Sequence, residues 1–325
     1  MDTVSAQGAS QGQGNVAEIT GGCFCCRLEE LVATIKALDD TTRPDVMIAE
    51  PVGSCTDLMA TVLQPLEKIY QTPMAFAPLS VVLDARRALA ALGGKKNKRS
   101  FHRDVGYVYR KQLEEAEWLV VNKIDLLDDD SLEDLKVRLE NNFPGKRLFF
   151  VSAKTGLGLD EWIEALVTSE SGPEAMMEID YERYAIGEAL LGWVNLEGSV
   201  TLSEEEAGPW LEKLGTKIAQ AMDAGGHEVG HFKMSLEGAG KRWRVHQVMG
   251  GEEIELAEDK LAGRETGRMP ILRFLVNLRA EGEAEVLQGL VHSALSEISG
   301  PKATFSQEAA FQPGKPEPTH RLASL

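Results

Sequence analysis

Cysteine is scarce in this chain, four among 325 residues. So few thiols, without the spacing of a disulfide framework, indicate a reducing compartment, and the cytoplasm is the expected location. Cations are outnumbered too: 34 Lys and Arg face 51 Asp and Glu, for a formal net charge of −17. Nucleic acid and anionic membrane would repel such a polyanion, so neither is expected as a partner. No apolar run is long enough to cross a bilayer. Met1 to Asn15 is polar and rich in Gly, Gln and Ser, with neither a charged start nor an apolar centre. It reads as a flexible N-terminus (residues 1–15) rather than a secretory signal.

The few cysteines are not scattered. Three of the four lie in Gly21-Gly22-Cys23-Phe24-Cys25-Cys26. A short apolar run (Val16, Ala17, Ile19) precedes them, and Leu28, Leu31, Val32, Ile35 and Leu38 follow at helical spacing, which predicts a strand-to-helix turn. Two glycines let the backbone bend sharply there. In extended chain Cys23 and Cys25 point the same way, and a turn at Cys26 brings the third thiol round. Three soft sulfur ligands suit Zn²⁺, Co²⁺ or Cu(I), with the fourth position left to water, an outside ligand or Cys55. Buried structural thiols and a redox role are the competing readings, but C-x-C-C is not the spacing of a thioredoxin-like pair.

The rest of the first half alternates short β-rich runs with helical patterns. Apolar runs at Asp45–Glu50, Leu79–Leu83, Trp118–Val121 and Leu148–Val151 each end in polar residues, and helices are expected between them. This is the pattern of an α/β fold, a mainly parallel sheet with helices on both faces, whose ligands sit just beyond the strand ends. Residues 16–168 form this domain and 169–180 a Ser/Gly/Pro/Glu linker. Residues 181–300 read as a smaller α+β domain of ferredoxin-like kind, with a capping box at Ser203 to Glu206, and residues 301–325 as a flexible tail.

Two of the strand ends carry nucleotide signals. Asn122-Lys123-x-Asp125 follows one strand, and Ser152-Ala153-Lys154 follows the next. A carboxylate at Asp125 can accept from guanine N1–H and the 2-amino group together; adenine offers neither donor and would leave it unpaired. The Lys123 stem would lie along the base, Asn122 would tie the loops, and the backbone at Ser152, Ala153 and Lys154 would meet guanine O6.

With G-G-C-F-C-C, the run ending Glu50-Pro51-Val52-Gly53, and N-K-I-D with S-A-K-T-G, the chain resembles the CobW/HypB/UreG group of P-loop GTPases, and within it the CobW-type branch. The resemblance covers residues 16–168 closely. It implies a P-loop NTPase-like sheet, guanine nucleotide (GTP/GDP with Mg²⁺) and a transition metal, Zn²⁺ or Co²⁺, at Cys23, Cys25 and Cys26. It further implies that Glu50 acts around Mg²⁺ and the attacking water, that Gly53 senses the γ-phosphate, and that the partner is a client metalloprotein.

The group's phosphate loop, G-x-x-x-x-G-K-[ST], occurs nowhere in the 325 residues. The expectation is therefore a CobW-like metallochaperone or metallocofactor-insertion protein, shortened at its N-terminus. It would lack the P-loop and its central strand, and turn GTP over weakly or not at all. Strands flanking such a gap are expected to expose unpaired N–H and C=O groups. The alternatives are a metal- or partner-binding protein that does not hydrolyse nucleotide, and a thiol redox protein.

Overall fold

The computed structural model describes residues 16–19, 21–93, 101–171, 177–247, 254–260, 271–298, 300 and 302–322. They fall into two units. The first is Met1–Lys95, Arg103–Ala185 and Lys315–Leu325; the second is Lys96–His102 and Ile186–Gly314.

In the first unit β1 (Ser80–Asp84), β2 (Trp118–Asn122) and β3 (Arg147–Phe150) form a parallel sheet in that order. Leu83 lies opposite Val121, and Val120 opposite Phe149. The central strand reads Trp-Leu-Val-Val because both its faces are covered. On one face Leu119 and Val121 pack with Ala88 of α3 (Ala85–Leu92), Leu113 of α4 (Arg103–Glu115), and Leu135 and Leu139 of α5 (Asp129–Asn142). On the other, Trp118, Val120 and Phe149 pack against Ala165 and Trp162 of α6 (Leu159–Thr168). α5 is capped at its N-terminus, where the Asp128 carboxylate accepts from the Ser131 N–H at 2.7 Å.

A third apolar cluster carries the cysteine segment. Cys25 packs with Leu28, Leu31 and Val32 of α1 (Leu28–Thr42) and with Val62 and Leu66. The last two belong to a π-helical turn (Met59–Leu63) that runs into α2 (Gln64–Lys68). The widened turn lies just before Pro65, which has no N–H to continue the α-helical ladder.

Two expected strands do not form. Val16–Ile19 and Asp45–Glu50 are without regular structure, so the cysteine turn leads into its helix from coil. Val46 and Ile48 are 60% and 92% exposed. A strand exists through the ladder it shares with a neighbour, and among the described residues the first unit's sheet has only β1, β2 and β3.

α7 (Tyr181–Ala189) spans the point where the two units divide, after Ala185. The second unit holds a six-stranded antiparallel sheet. Its strands are β4 (Leu191–Thr201), β5 (Val229–Gly238), β6 (Lys241–Gln247), β7 (Glu255–Lys260), β8 (Ile271–Glu281) and β9 (Thr304–Phe311), in spatial order β7-β6-β5-β8-β4-β9. With α8 (Glu204–Gly225) after β4 and α9 (Ala284–Ser296) after β8, the strands β4, β5, β8 and β9 follow the β-α-β-β-α-β order expected, and β6 and β7 extend the sheet. Burial alternates along β4 and β8, and Val194, Leu196, Phe274 and Val276 meet Leu211, Leu214 and Ile218 of α8 and Leu287 and Val291 of α9. Gly198 has to be small: a Cβ there would meet the Phe274 ring at 2.5 Å. The capping box of α8 is formed by Ser203 and Glu206.

The expected flexible tail is corrected. β9 pairs antiparallel with β4 from Trp193↔Phe311 to Ser199↔Thr304, and Lys315–Leu325 belongs to the first unit. Burial along β9 does not alternate, and an edge strand is held by its main chain, which composition does not display. The expected flexible segment 1–15 and linker residues 172–176 lie outside the described residues.

Candidate nucleotide and metal sites

β2 and β3 end side by side, and their following loops are tied together. The Val151 N–H donates to the Val121 carbonyl at 2.8 Å, and the Ile124 N–H to the Val151 carbonyl at 3.3 Å. The Asn122 side-chain oxygen accepts from the Lys123 N–H at 2.8 Å and from the Ala153 N–H at 3.0 Å, so one amide bridges both loops. Lys123 sits in the left-handed region at φ 66°, a conformation a long side chain adopts only where its surroundings enforce it. Its ammonium reaches Asp84 Oδ2 at the end of β1, 3.0 Å away. Ser152 is fully buried; its Oγ accepts from the Thr155 N–H, and its own N–H and carbonyl close the loop through Leu157 and Gly156. Asp125, Ala153 and Lys154 are exposed around this frame.

The three clustered thiols also converge. The N–H groups of Cys26 and Arg27 both donate to the Cys23 carbonyl, at 3.1 and 3.0 Å, which turns the chain back on itself. The Cys23 and Cys25 sulfurs are 2.8 Å apart, Cys23 and Cys26 3.4 Å, and Cys25 and Cys26 3.7 Å. All three lie within 4.8 Å of one another, and among the described residues no other cluster of potential metal ligands forms. Zn–S bonds of about 2.3 Å in a tetrahedron place sulfurs about 3.8 Å apart. The two longer separations are close to that, and the Cys23–Cys25 pair has to open by about 1 Å.

Electrostatics divides the trio. Hydrogen bonds from Cys25 and then Cys55 hold the Cys23 thiol well below the usual thiol range, against the effect of burial. Cys25 is pushed up by donating to Cys23 and by burial. Burial, then the bond to Cys23, raises Cys26, opposed by a backbone N–H from Glu317.

Glu50 is exposed in the unpaired stretch before Pro51, not at a strand end. Gly53 is exposed as well, but its carbonyl accepts from Gln112 Nε2 at 2.8 Å; the same amide donates to the Cys55 carbonyl at 2.9 Å. One turn further along α4, Glu115 accepts from the Met59 N–H at 2.7 Å and from Thr56 Oγ1 at 3.3 Å. Gln112 and Glu115, three apart on one helix face, thus hold the loop from Gly53 to Met59. Asp57 in that loop is 1% exposed at φ 65°. It accepts from Tyr181 Oη and from Arg321 Nε, both at 2.7 Å.

Arg321 belongs to a C-terminal strap over the cysteine segment. The Thr319 N–H donates to the Cys25 carbonyl at 2.8 Å and the Leu322 N–H to the Ala60 carbonyl at 3.0 Å. The His320 ring lies 3.4 Å from Tyr70 Oη. Sequence reasoning singled out none of Gln112, Glu115, Asp57 and Arg321. A carboxyl on the inward face of an amphipathic helix, at Glu115, was the one available signal.

A parallel sheet with helices on both faces and polar loops tied together at its strand ends is an α/β arrangement of P-loop NTPase-like kind, in which ligands are bound beyond the strand ends. Residues 2–150 match the family model "CobW/HypB/UreG, nucleotide-binding domain", so this part of the chain is similar to the nucleotide-binding domain of that group. No curated protein matches the chain. Among the described residues no helix is long and apolar enough to cross a membrane.

Proposed function

We propose that this protein is a CobW-like, guanine-nucleotide-binding metallochaperone whose cargo is a soft divalent ion, Zn²⁺ or Co²⁺, held by Cys23, Cys25 and Cys26. The observation that carries the reading is the gathering of three sulfurs within 4.8 Å in the same unit as the Asn122–Ala153 bridge. Asp125 would read guanine, Lys123 would flank the base, and Ser152, Ala153 and Lys154 would close over it. Glu50 and Gly53 would serve Mg²⁺ and γ-phosphate, and Gln112 would transmit a shift of Gly53 to the cysteine side. Coupling would be reciprocal: nucleotide can weaken metal binding only as far as metal weakens nucleotide binding. GTP turnover by these residues is weak or nil, since no G-x-x-x-x-G-K-[ST] string holds the phosphates.

Calorimetry with GTP, GDP and ATP on zinc-free and zinc-loaded protein tests this. Guanine-selective affinity that changes with zinc is the expected result. The exposure of Glu50 outside any strand favours a second reading, a metal-binding protein that uses no nucleotide. Zinc binding without guanine affinity would select it.

A further inference from the structure

We propose that Cys23 and Cys25 close a reversible disulfide under peroxide, and that this bond releases the cargo of the cysteine site. The release rests on the metal reading above and adds a redox regulation to it. The trio is unequally spaced. The Cys23 and Cys25 sulfurs lie 2.8 Å apart, against 3.4 and 3.7 Å for the two pairs that include Cys26. A disulfide bond is about 2 Å long, whereas sulfurs sharing a tetrahedral zinc stand about 3.8 Å apart. The pair sits roughly midway between these end states, which exclude each other. Closing it by about 0.8 Å makes the bond, and opening it by about 1 Å makes the cage.

Exposure assigns the roles. All the thiols are free; Cys23 and Cys26 are half-buried and Cys25 is 3% exposed. Cys23 is therefore the member of the close pair that a small oxidant in solution reaches. Cys25 lies behind it among Leu28, Leu31 and Val32. The Cys23 sulfur attacks the peroxide O–O bond and keeps one oxygen as sulfenic acid; the other oxygen leaves as hydroxide and takes up the Cys23 proton as water. The Cys25 sulfur then attacks the sulfenic sulfur. The S–S bond forms, and the sulfenic oxygen departs as a second water with the Cys25 proton. Two electrons have passed from the sulfurs to the peroxide. In a reducing compartment such a bond is transient and is opened again by a dithiol.

The consequence is loss of the cage. The disulfide withdraws two of the three thiolates, and Cys26 alone does not make a zinc site. Starting from the zinc thiolates, solvent supplies the two protons and the ion leaves.

Hydrogen peroxide added to the reduced full chain, zinc-free and zinc-loaded, tests the proposal. The readouts are intact mass, differential alkylation of thiols before and after reduction, and a chromogenic zinc chelator. Wild type should lose two hydrogens, keep Cys26 and Cys55 alkylatable, and release its zinc as the bond forms. Dithiothreitol should restore both thiols and zinc binding. Cys26→Ser should lose two hydrogens at the wild-type rate, and Cys25→Ser more slowly. Zinc-free thiols that stay titratable, gain oxygen without forming the bond, or link through Cys26 would overturn the proposal and leave zinc binding by the reduced chain standing. Zinc retained after the bond has formed would overturn the release. Bond formation in a chain that binds no zinc when reduced would instead remove the metal reading and keep the disulfide. The wild-type alkylation pattern decides even if a variant fails to fold.

Discussion

Glu115 is 5% exposed at the end of α4 and accepts two hydrogen bonds from the Thr56–Met59 loop. Burial, with the nearby Asp57 charge adding to it, pushes its carboxyl up to about 7. The folded state therefore holds a proton that the unfolded chain releases near the ordinary 4.5. The stabilising contribution is complete below that value and is lost as pH rises through 7, by on the order of 3 kcal/mol. Urea midpoints at pH 5 and pH 8 measure it. Wild type should lose stability across that interval, and Glu115→Gln, which keeps an acceptor without a charge, should lose less. At Asp125 the residue-scale question is base identity. Two charge-assisted hydrogen bonds to guanine are worth about 3 kcal/mol together, roughly 100-fold in affinity. Asp125→Asn exchanges one acceptor for a donor and should shift preference from guanine toward xanthine nucleotide, read by competition calorimetry; an unchanged preference would take Asp125 out of the pocket.

Among elements, the C-terminal strap departs furthest from expectation. Composition marked residues 315–322 as mobile, yet three main-chain or ionic ties hold them, at Cys25, Ala60 and Asp57. Arg321→Ala leaves the Asp57 carboxylate buried with Tyr181 as its remaining side-chain donor, and should cost about 3 kcal/mol by chemical denaturation. It should also free the strap, so a chelator would strip zinc faster than from wild type; equal release rates would mean the strap does not cover the site. The opposite error concerns Asp45–Glu50. Its apolar run has strand composition, but Ile48 is 92% exposed because no strand among the described residues forms a ladder beside it. Pattern reports what a segment could pair with, whereas pairing itself is a property of two segments.

For the molecule as a whole, the two units have separate cores. Every residue of the largest apolar cluster, from Val194 to Ala294 with Phe305 against it, lies in the second unit. A fragment of residues 186–314 should therefore fold alone with a cooperative thermal transition and dispersed amide resonances; a non-cooperative melt would show that its stability is borrowed. The net charge of −17 belongs to this scale too, and it predicts no measurable affinity for DNA or for anionic vesicles at physiological salt.

What the sequence determined by itself was local and periodic. Helical and strand patterns located most of the elements from β1 to α9; Ser203 and Glu206 announced their capping box; N-K-x-D and S-A-K marked two loops that Asn122 joins. Each rests on interactions among residues a few positions apart, or on one strand followed by the next. The tertiary structure decided the rest: that Gln112 and Glu115 grip the Gly53–Met59 loop, and that Arg321 closes on Asp57. Those partners are separated by tens to hundreds of residues, and a single hydrogen-bonding side chain has no period from which its distant partner can be read.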